Sequence, residues 1–256
     1  MARSGRLTLS WVGKDEALLG TPEGGYEWVD RDDPRVTEVR LLRHLATVGE
    51  VNKPSRANED NLLIVGDSYD AVHVLTRVPE YAEHYLGKVK LVYIDPPFNT
   101  GQAFAQYDDA LEHSVWLTMM RDRLLLIRDL LAPDGAVWVH LDDAEMPYCR
   151  VLMDEIFGRG NFIATVVWKK IHARNNSAQH FSADHDYLLV YAKDKSELRV
   201  NRVARTSASD GDFWNPDDDP VLAENVVRAG QAAWWCSLRM PPGRCRRRMS
   251  SLVTVA

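Results

Sequence analysis

Cysteine is scarce in this chain: three in 256 residues, at Cys149, Cys236 and Cys245. Their odd number and wide spacing argue against a disulfide framework and against a zinc site, and fit a reduced, cytoplasmic setting. Long apolar runs are missing as well. No stretch reaches the roughly 18 residues that suggest a membrane span. The opening Met1-Ala2-Arg3-Ser4-Gly5-Arg6 has no long apolar stretch behind it, which argues against a secretory signal. Nor is there an excess of positive charge, since the net charge is −6. A protein built around phosphate contacts is usually basic, so global charge gives no support for nucleic-acid binding. The charge is uneven, however. Asp217-Asp218-Asp219 is acidic, whereas Arg239, Arg244, Arg246, Arg247 and Arg248 crowd the C-terminal end. A local basic groove is therefore neither shown nor excluded. Hydrophobic residues at 45% and charged residues at 27% are ordinary for a globular domain, which removes disordered and fibrous classes.

What is present sharpens from Asn61 onward. Upstream, residues 36–48 carry apolar residues at Val36, Val39, Leu41, Leu42, Leu45 and Ala46, which suits a short helix. Leu62-Leu63-Ile64-Val65 reads as a buried strand that ends at Gly66-Asp67. A helix from Asp70 to Arg77 follows, closed by Pro79. Val89 to Ile94 is rich in β-branched and aromatic residues and stops at Asp95-Pro96-Pro97, where two prolines cannot continue a central strand. A helical stripe then runs through Leu117, Met120, Leu124, Ile127 and Leu131, and Pro133-Asp134-Gly135 ends it. Ala136 to Leu141 reads as another strand, ending in Asp142-Asp143. A helix over 144–157 and strands over 161–168 and 186–191 complete the pattern. Strands and helices alternating with short connections predict an open, mainly parallel α/β sheet covered on both faces. Ligands bind such sheets at the carboxyl ends of the strands, so Asp67, Asp95 and Asp142-Asp143 should surround one cleft. After Asn201 no strong period appears, and residues 231–256 match neither a packed helix nor a strand, which suggests truncation or a reading-frame artefact.

The tetrapeptide Asp95-Pro96-Pro97-Phe98 carries a specific chemistry. The lone pair of an exocyclic amine on a nucleobase is delocalised into the ring, so the nitrogen is a poor nucleophile. Two acceptors aimed at its two hydrogens favour a pyramidal nitrogen and free that lone pair. The Asp95 carboxylate can be one, and the Pro96 carbonyl, held rigidly by the Pro-Pro turn, the other. Phe98 offers a face for a flipped-out base, worth roughly 1–3 kcal/mol per stacked base. A methyl donor placed in line completes the transfer by proximity, and no metal is required. The plainer alternative remains open at this point: Asp-Pro-Pro is also an ordinary turn, and Phe98 can be a core residue.

Taken in order, residues 61–67 (Asn-Leu-Leu-Ile-Val-Gly-Asp), 88–101 (Lys-Val-Lys-Leu-Val-Tyr-Ile-Asp-Pro-Pro-Phe-Asn-Thr-Gly), 107–109, 116–124, 130–143, 154–158, 161–162 and 185–193 resemble the amino-methyltransferases of the β order. The resemblance is closest to the modification subunit of type III restriction–modification systems. It covers about residues 52 to 195. It implies a Rossmann-like S-adenosylmethionine-dependent methyltransferase sheet, incomplete in this chain. It also implies site-specific transfer of a methyl group to the N6 amine of adenine in double-stranded DNA, with a restriction subunit and a second modification subunit as partners and no membrane. Asp95, Pro96, Pro97 and Phe98 match the family's catalytic motif, in which tyrosine is usual where Phe98 stands. Stacking survives that change, but a phenolic hydrogen bond is lost. Aspartate at the first position points to adenine rather than cytosine N4. Asp67, Asp95, Asn99 and Thr100 fall where the family holds S-adenosylmethionine. The alternative for Asp67 is a helix N-cap, and for Asp142-Asp143 capping is the preferred reading.

In the β order a glycine-rich cofactor loop follows the target-recognition region, and none is found after Tyr191. Gly24-Gly25 is upstream and has no strand before it. The resemblance therefore divides the chain into an N-terminal extension (1–51), a catalytic region (52–200) and the start of a recognition region (201–256). Two other readings stay open: an inert fragment that retains the fold, and an amino-methyltransferase acting on cytosine N4 or on RNA. Lys169, Lys170, His172 and Arg174 can contact phosphates or form a solvated loop. The purified chain alone is expected to bind S-adenosylmethionine weakly in calorimetry and to leave DNA unmethylated. Robust methylation by it would contradict this expectation.

Overall fold

The computed structural model describes residues 7–21, 25–47, 61–99, 103–104, 107–108, 112–170, 184–201 and 251–255, with backbone alone at 103–104, 107–108 and 251–255. In chain order the elements begin with strands β1 (Ala17–Gly20) and β2 (Tyr26–Val29), helix α1 (Pro34–Thr37) and strands β3 (Leu42–Ala46) and β4 (Leu62–Val65). Helices α2 (Ser68–Arg77) and α3 (Pro79–Tyr85) lead to β5 (Val89–Ile94), then to the short strands β6 (Ala103–Phe104) and β7 (Tyr107–Asp108). Helix α4 (His113–Leu130), strand β8 (Leu131–Leu141) and helix α5 (Met146–Met153) follow. Strands β9 (Phe162–Lys169), β10 (His185–Ala192) and β11 (Ser251–Val255) close the order. The chain divides into one compact unit of Met1–Leu198 with Arg248–Ala256, and a second of Arg199–Arg247. All but the first three residues of the second lie outside the described ones.

An apolar stripe as long as that of α4 has to be buried, and α4 supplies much of the core. Glu112 caps its start, accepting from the Val115 amide at 3.2 Å. Trp116, Leu117, Met120 and Leu124 are almost completely buried. They join Val137, Val139 and Leu141 of β8, Cys149 and Leu152 of α5, and Leu189 and Tyr191 of β10 in one cluster. The sheet beside it has the order β5-β8-β10-β9. β5 runs parallel to β8, with Tyr93 opposite Trp138 and Ile94 opposite Val139. β10 is antiparallel to both β8 and β9. Burial pushes the Cys149 thiol up, with the charge of Glu145 adding to it, so this cysteine behaves as a small core residue.

Several expectations need correcting. The sheet is mixed rather than mainly parallel, because β9 and β10 pair with each other directly and antiparallel. The helix expected over 36–48 shrinks to α1, and Leu42–Ala46 is a strand paired with β11. Its apolar residues did not mark a buried helical face, since Leu41 and Leu45 are exposed. Leu63 and Val65 of β4 are exposed too, so β4 is not fully buried. Pro133-Asp134-Gly135 does not end α4. The helix stops at Leu130, and the tripeptide sits inside β8 where its register against β5 shifts. Pro79 does end α2, and it also opens α3 as a first-turn proline. The tail, where no strand was expected, has extended backbone at Ser251–Val255 parallel to β4.

The segment before β1 has no apolar period; Leu9 and Trp11 pack against the core, and polar contacts fix the segment further. The Trp11 indole donates to Thr118 Oγ1 at 2.8 Å. The ammonium of Lys14 meets Glu155 at 2.9 Å. The buried guanidinium of Arg121 donates to the carbonyls of Lys14 and Glu16 and pairs with Asp122. For the core itself, Leu124→Ala should cost about 2–5 kcal/mol, read as a lower midpoint in urea unfolding with an unchanged slope.

Candidate active site

β5 stops at Asp95 because neither Pro96 nor Pro97 has an N–H for a ladder. Asp95 thus stands at the carboxyl end of the strand, its side chain 63% exposed. The turn is anchored from below. The indole of fully buried Trp116 donates to the Pro97 carbonyl at 2.7 Å. One residue past Phe98, Asn99 has a φ of 60°, a left-handed conformation that asparagine tolerates better than most residues. Its side-chain amide donates to Glu145 Oε1 at 2.6 Å, and the same oxygen lies 3.0 Å from His113 Nδ1. Glu145 is buried, and its Oε2 has no hydrogen-bond partner among the described residues. Phe98 is half-buried against the core, with its ring centroid 5.4 Å from that of His140. Phe98 thus leans on the core, as its plainer reading had it.

A polar cluster lies behind Asp95. His140 Nδ1 is 2.8 Å from the Tyr93 hydroxyl and 3.9 Å from Asp95 Oδ1. His140 Nε2 is 3.3 Å from Asp186 Oδ2, and Lys170 Nζ donates to Asp186 Oδ1 at 2.7 Å. Partial burial pushes the Tyr93 phenol up, and the charges of Asp95 and Asp186 push in the same direction. Tyr93 therefore keeps its proton and can donate to His140.

Beside the turn is a cavity of about 520 Å³, within the range typical of small-molecule sites. Val72, Val92, Ile94, Met119, Met120 and Ile127 give it apolar walls, and Asp67, Ser68, Asp95 and Arg123 give it polar ones. Arg123 Nη2 donates to both oxygens of Asp67, at 2.8 and 2.9 Å. Asp67 also accepts from the Tyr69 amide at 2.7 Å, so it is the N-cap of α2 as well as a lining residue. Asp95, Pro96 and Pro97 line the same cavity, whereas Asn99 is turned to Glu145 and is not among the lining residues. Thr100, His172, Arg174 and the Arg244–Arg248 cluster lie outside the described residues. Asp142 Oδ1 accepts from the Ala144 amide at 2.9 Å and closes a local turn, but the capping preferred for Asp142-Asp143 is not seen, because the N-cap of α5 is Glu145 and it has no side-chain cap bond. Sequence reasoning missed Arg123, His140, Glu145 and Asp186. Only strand register could have signalled His140: Tyr93 faces Trp138, so two residues on, Asp95 and His140 share one face.

A family model for DNA methylases of the N6/N4 type matches residues 89–235, more than half of the chain. The chain belongs to this DNA methylase family. The match opens at the first residue of β5 and takes in the whole Asp95-Pro96-Pro97-Phe98 turn. Among curated relatives, the chain is 40% identical over 160 residues to the "Probable type III restriction-modification enzyme HindVI Mod subunit" of Haemophilus influenzae, covering 61% of this chain and 21% of that protein. It is 32% identical to the type II methyltransferase M.EcaI of Enterobacter cloacae, over 61% of this chain and 38% of the other. It is 31% identical to the type III restriction-modification enzyme EcoPI Mod subunit of Escherichia phage P1, over 69% and 31% respectively. The DNA methylase chain thus spans between about a fifth and two fifths of the length of these relatives. Among the described residues no helix is long and apolar enough to cross a membrane.

Trp116→Phe keeps an aromatic ring in the core but removes the donor to Pro97. Stability should fall by about 1 kcal/mol in chemical denaturation, and the amides of Phe98 and Asn99 should exchange faster with deuterium. Unchanged exchange there would show that the indole does not anchor the turn.

Proposed function

We propose that this DNA methylase chain carries the base-gripping site of a site-specific enzyme that transfers a methyl group from S-adenosylmethionine to the N6 amine of adenine in DNA, within a restriction–modification system. The observation that carries the reading is the Asp95-Pro96 turn: an exposed carboxylate and a rigidly held carbonyl at the strand end, beside a nucleoside-sized cavity. Asp95 and the Pro96 carbonyl accept from the two amino hydrogens of a flipped adenine and make its nitrogen nucleophilic. Phe98 offers the base a partner for stacking.

The cavity suits an adenosyl donor. Its apolar walls match a purine and thioether, and its acidic lining matches ribose hydroxyls and a cationic sulfonium. Asp67 and Asp95 would hold the donor there, with Asn99 and Thr100 shaping the loop beside it. Bound S-adenosylmethionine supplies an electrophilic methyl group. The chain's residues exclude water, orient the amine and hold its protons. The catalytic region would run over 52–200, with a DNA-recognition region starting near 201. The HindVI and EcoPI relatives are named as Mod subunits of type III restriction-modification enzymes, which supports partner subunits within such an enzyme; a restriction subunit and a second modification subunit are the partners proposed.

A long duplex of mixed sequence tests the reading, its labelled base identified after digestion to nucleosides. The chain is assayed alone and with the C-terminal part of the HindVI Mod relative fused behind its catalytic region. Labelled methyl groups should appear only on adenine and only with the fusion, and Asp95→Ala should lower transfer at least 10²-fold. Label on cytosine would reassign the chain to cytosine N4, and full transfer by Asp95→Ala would remove the base-gripping role.

A further inference from the structure

Methyl transfer to an amine creates a proton that has to go somewhere. As the adenine nitrogen bonds to the methyl carbon, the carbon–sulfur bond breaks, and the nitrogen is left cationic with one proton too many. Asp95 is the carboxylate nearest that nitrogen in the reading above, and taking up the proton would leave it neutral. It then has to pass the proton on before it can grip another base.

We infer that His140 is the positioning residue that takes up this proton, through Asp95, at Nδ1. The inference rests on the methyl-transfer reading of Asp95 and concerns the fate of the proton. Three neighbours hold the imidazole: the Tyr93 hydroxyl at Nδ1, the Asp186 carboxylate at Nε2, and the ring of Phe98 at 5.4 Å. Asp186 is 5% exposed and accepts from Nε2–H, which fixes the tautomer. The bare Nδ1 is then the nitrogen that lies 3.9 Å from Asp95 Oδ1. This is the role the aspartate plays in a Ser-His-Asp triad: it orients a neutral imidazole and stabilises the imidazolium that forms. Lys170 donates to the other oxygen of Asp186 at 2.7 Å and holds that carboxylate in place. The proton passes from the methylated amine to Asp95 Oδ1 and, once the bound base draws the 3.9 Å gap shut, on to Nδ1 of His140. Tyr93, which had donated to Nδ1, turns to accept from it. Asp95 returns to its anionic form and His140 releases its proton to solvent. No oxidant or further reactant is needed.

Nitrogen-15 spectra of histidine-labelled chain test this without cofactor or DNA. The neutral ring of His140 should carry its proton on Nε2 and leave Nδ1 bare, and Asp186→Asn should populate both tautomers. A proton on Nδ1, or a tautomer that Asp186→Asn leaves unmoved, overturns the inference. In the methyl-transfer assay with the fusion, His140→Ala should lower the rate about 10²- to 10⁴-fold, with partial recovery on adding imidazole. His140→Gln preserves a hydrogen-bonding side chain but cannot take a proton, and should be as slow. A glutamine variant at the wild-type rate overturns the inference while leaving Asp95 in its role; a wild-type rate in Asp95→Ala removes the underlying reading first.

Discussion

The hydrogen bond from the Trp116 indole to the Pro97 carbonyl, 2.7 Å long and backed by the core, ties the end of β5 to the helix that fills the interior. Two successive prolines force the strand to stop, but they do not say where the loop goes next. The indole does. With Pro97 pinned to α4, Pro96 and Asp95 face the cavity, and Asn99 falls into the left-handed conformation in which its amide reaches Glu145. Each later feature of the site is placed relative to that anchor.

The carboxylates near the site differ in how far they are committed. Asp67 is held by Arg123 and by the first turn of α2. Asp186 is buried between His140 and Lys170. Glu145 is buried too, one oxygen shared between Asn99 and His113. Asp95 is the most exposed and least committed of them, and its ion-pair neighbour His140 stands 3.9 Å away, beyond direct hydrogen-bond reach. A carboxylate left open at a rigid strand end, among others already occupied, is suited to meeting a ligand rather than stabilising the fold.

Much of this was legible in the chain itself. Val89–Ile94 and its proline stop were placed to the residue, because β-branched residues and proline act locally. The α4 stripe was legible because a period of 3.6 residues shows in one dimension. The helix expected over 36–48 was misjudged: apolar residues at mixed spacings there served a strand whose partner, β11, lies some 200 residues away in sequence. Asp67 was read as a cofactor residue with a cap as the alternative; the cap is present, and the same side chain also lines the cavity, because a residue at a helix start can border one. Asn99 and Glu145 could not be paired from sequence, since 46 positions separate them.

By itself, the sequence determined the chemistry-bearing turn, the strand it ends and the family to which the chain belongs. Those depend on residue type and short spacing, which the linear order records. Only the tertiary structure decided that the sheet is mixed, that Arg123 holds Asp67, and that His140, Tyr93 and Asp186 gather behind Asp95. These depend on strand register and on which face each side chain leaves by. A shift of one residue in the pairing of β5 with β8 would send His140 to the opposite side of the sheet.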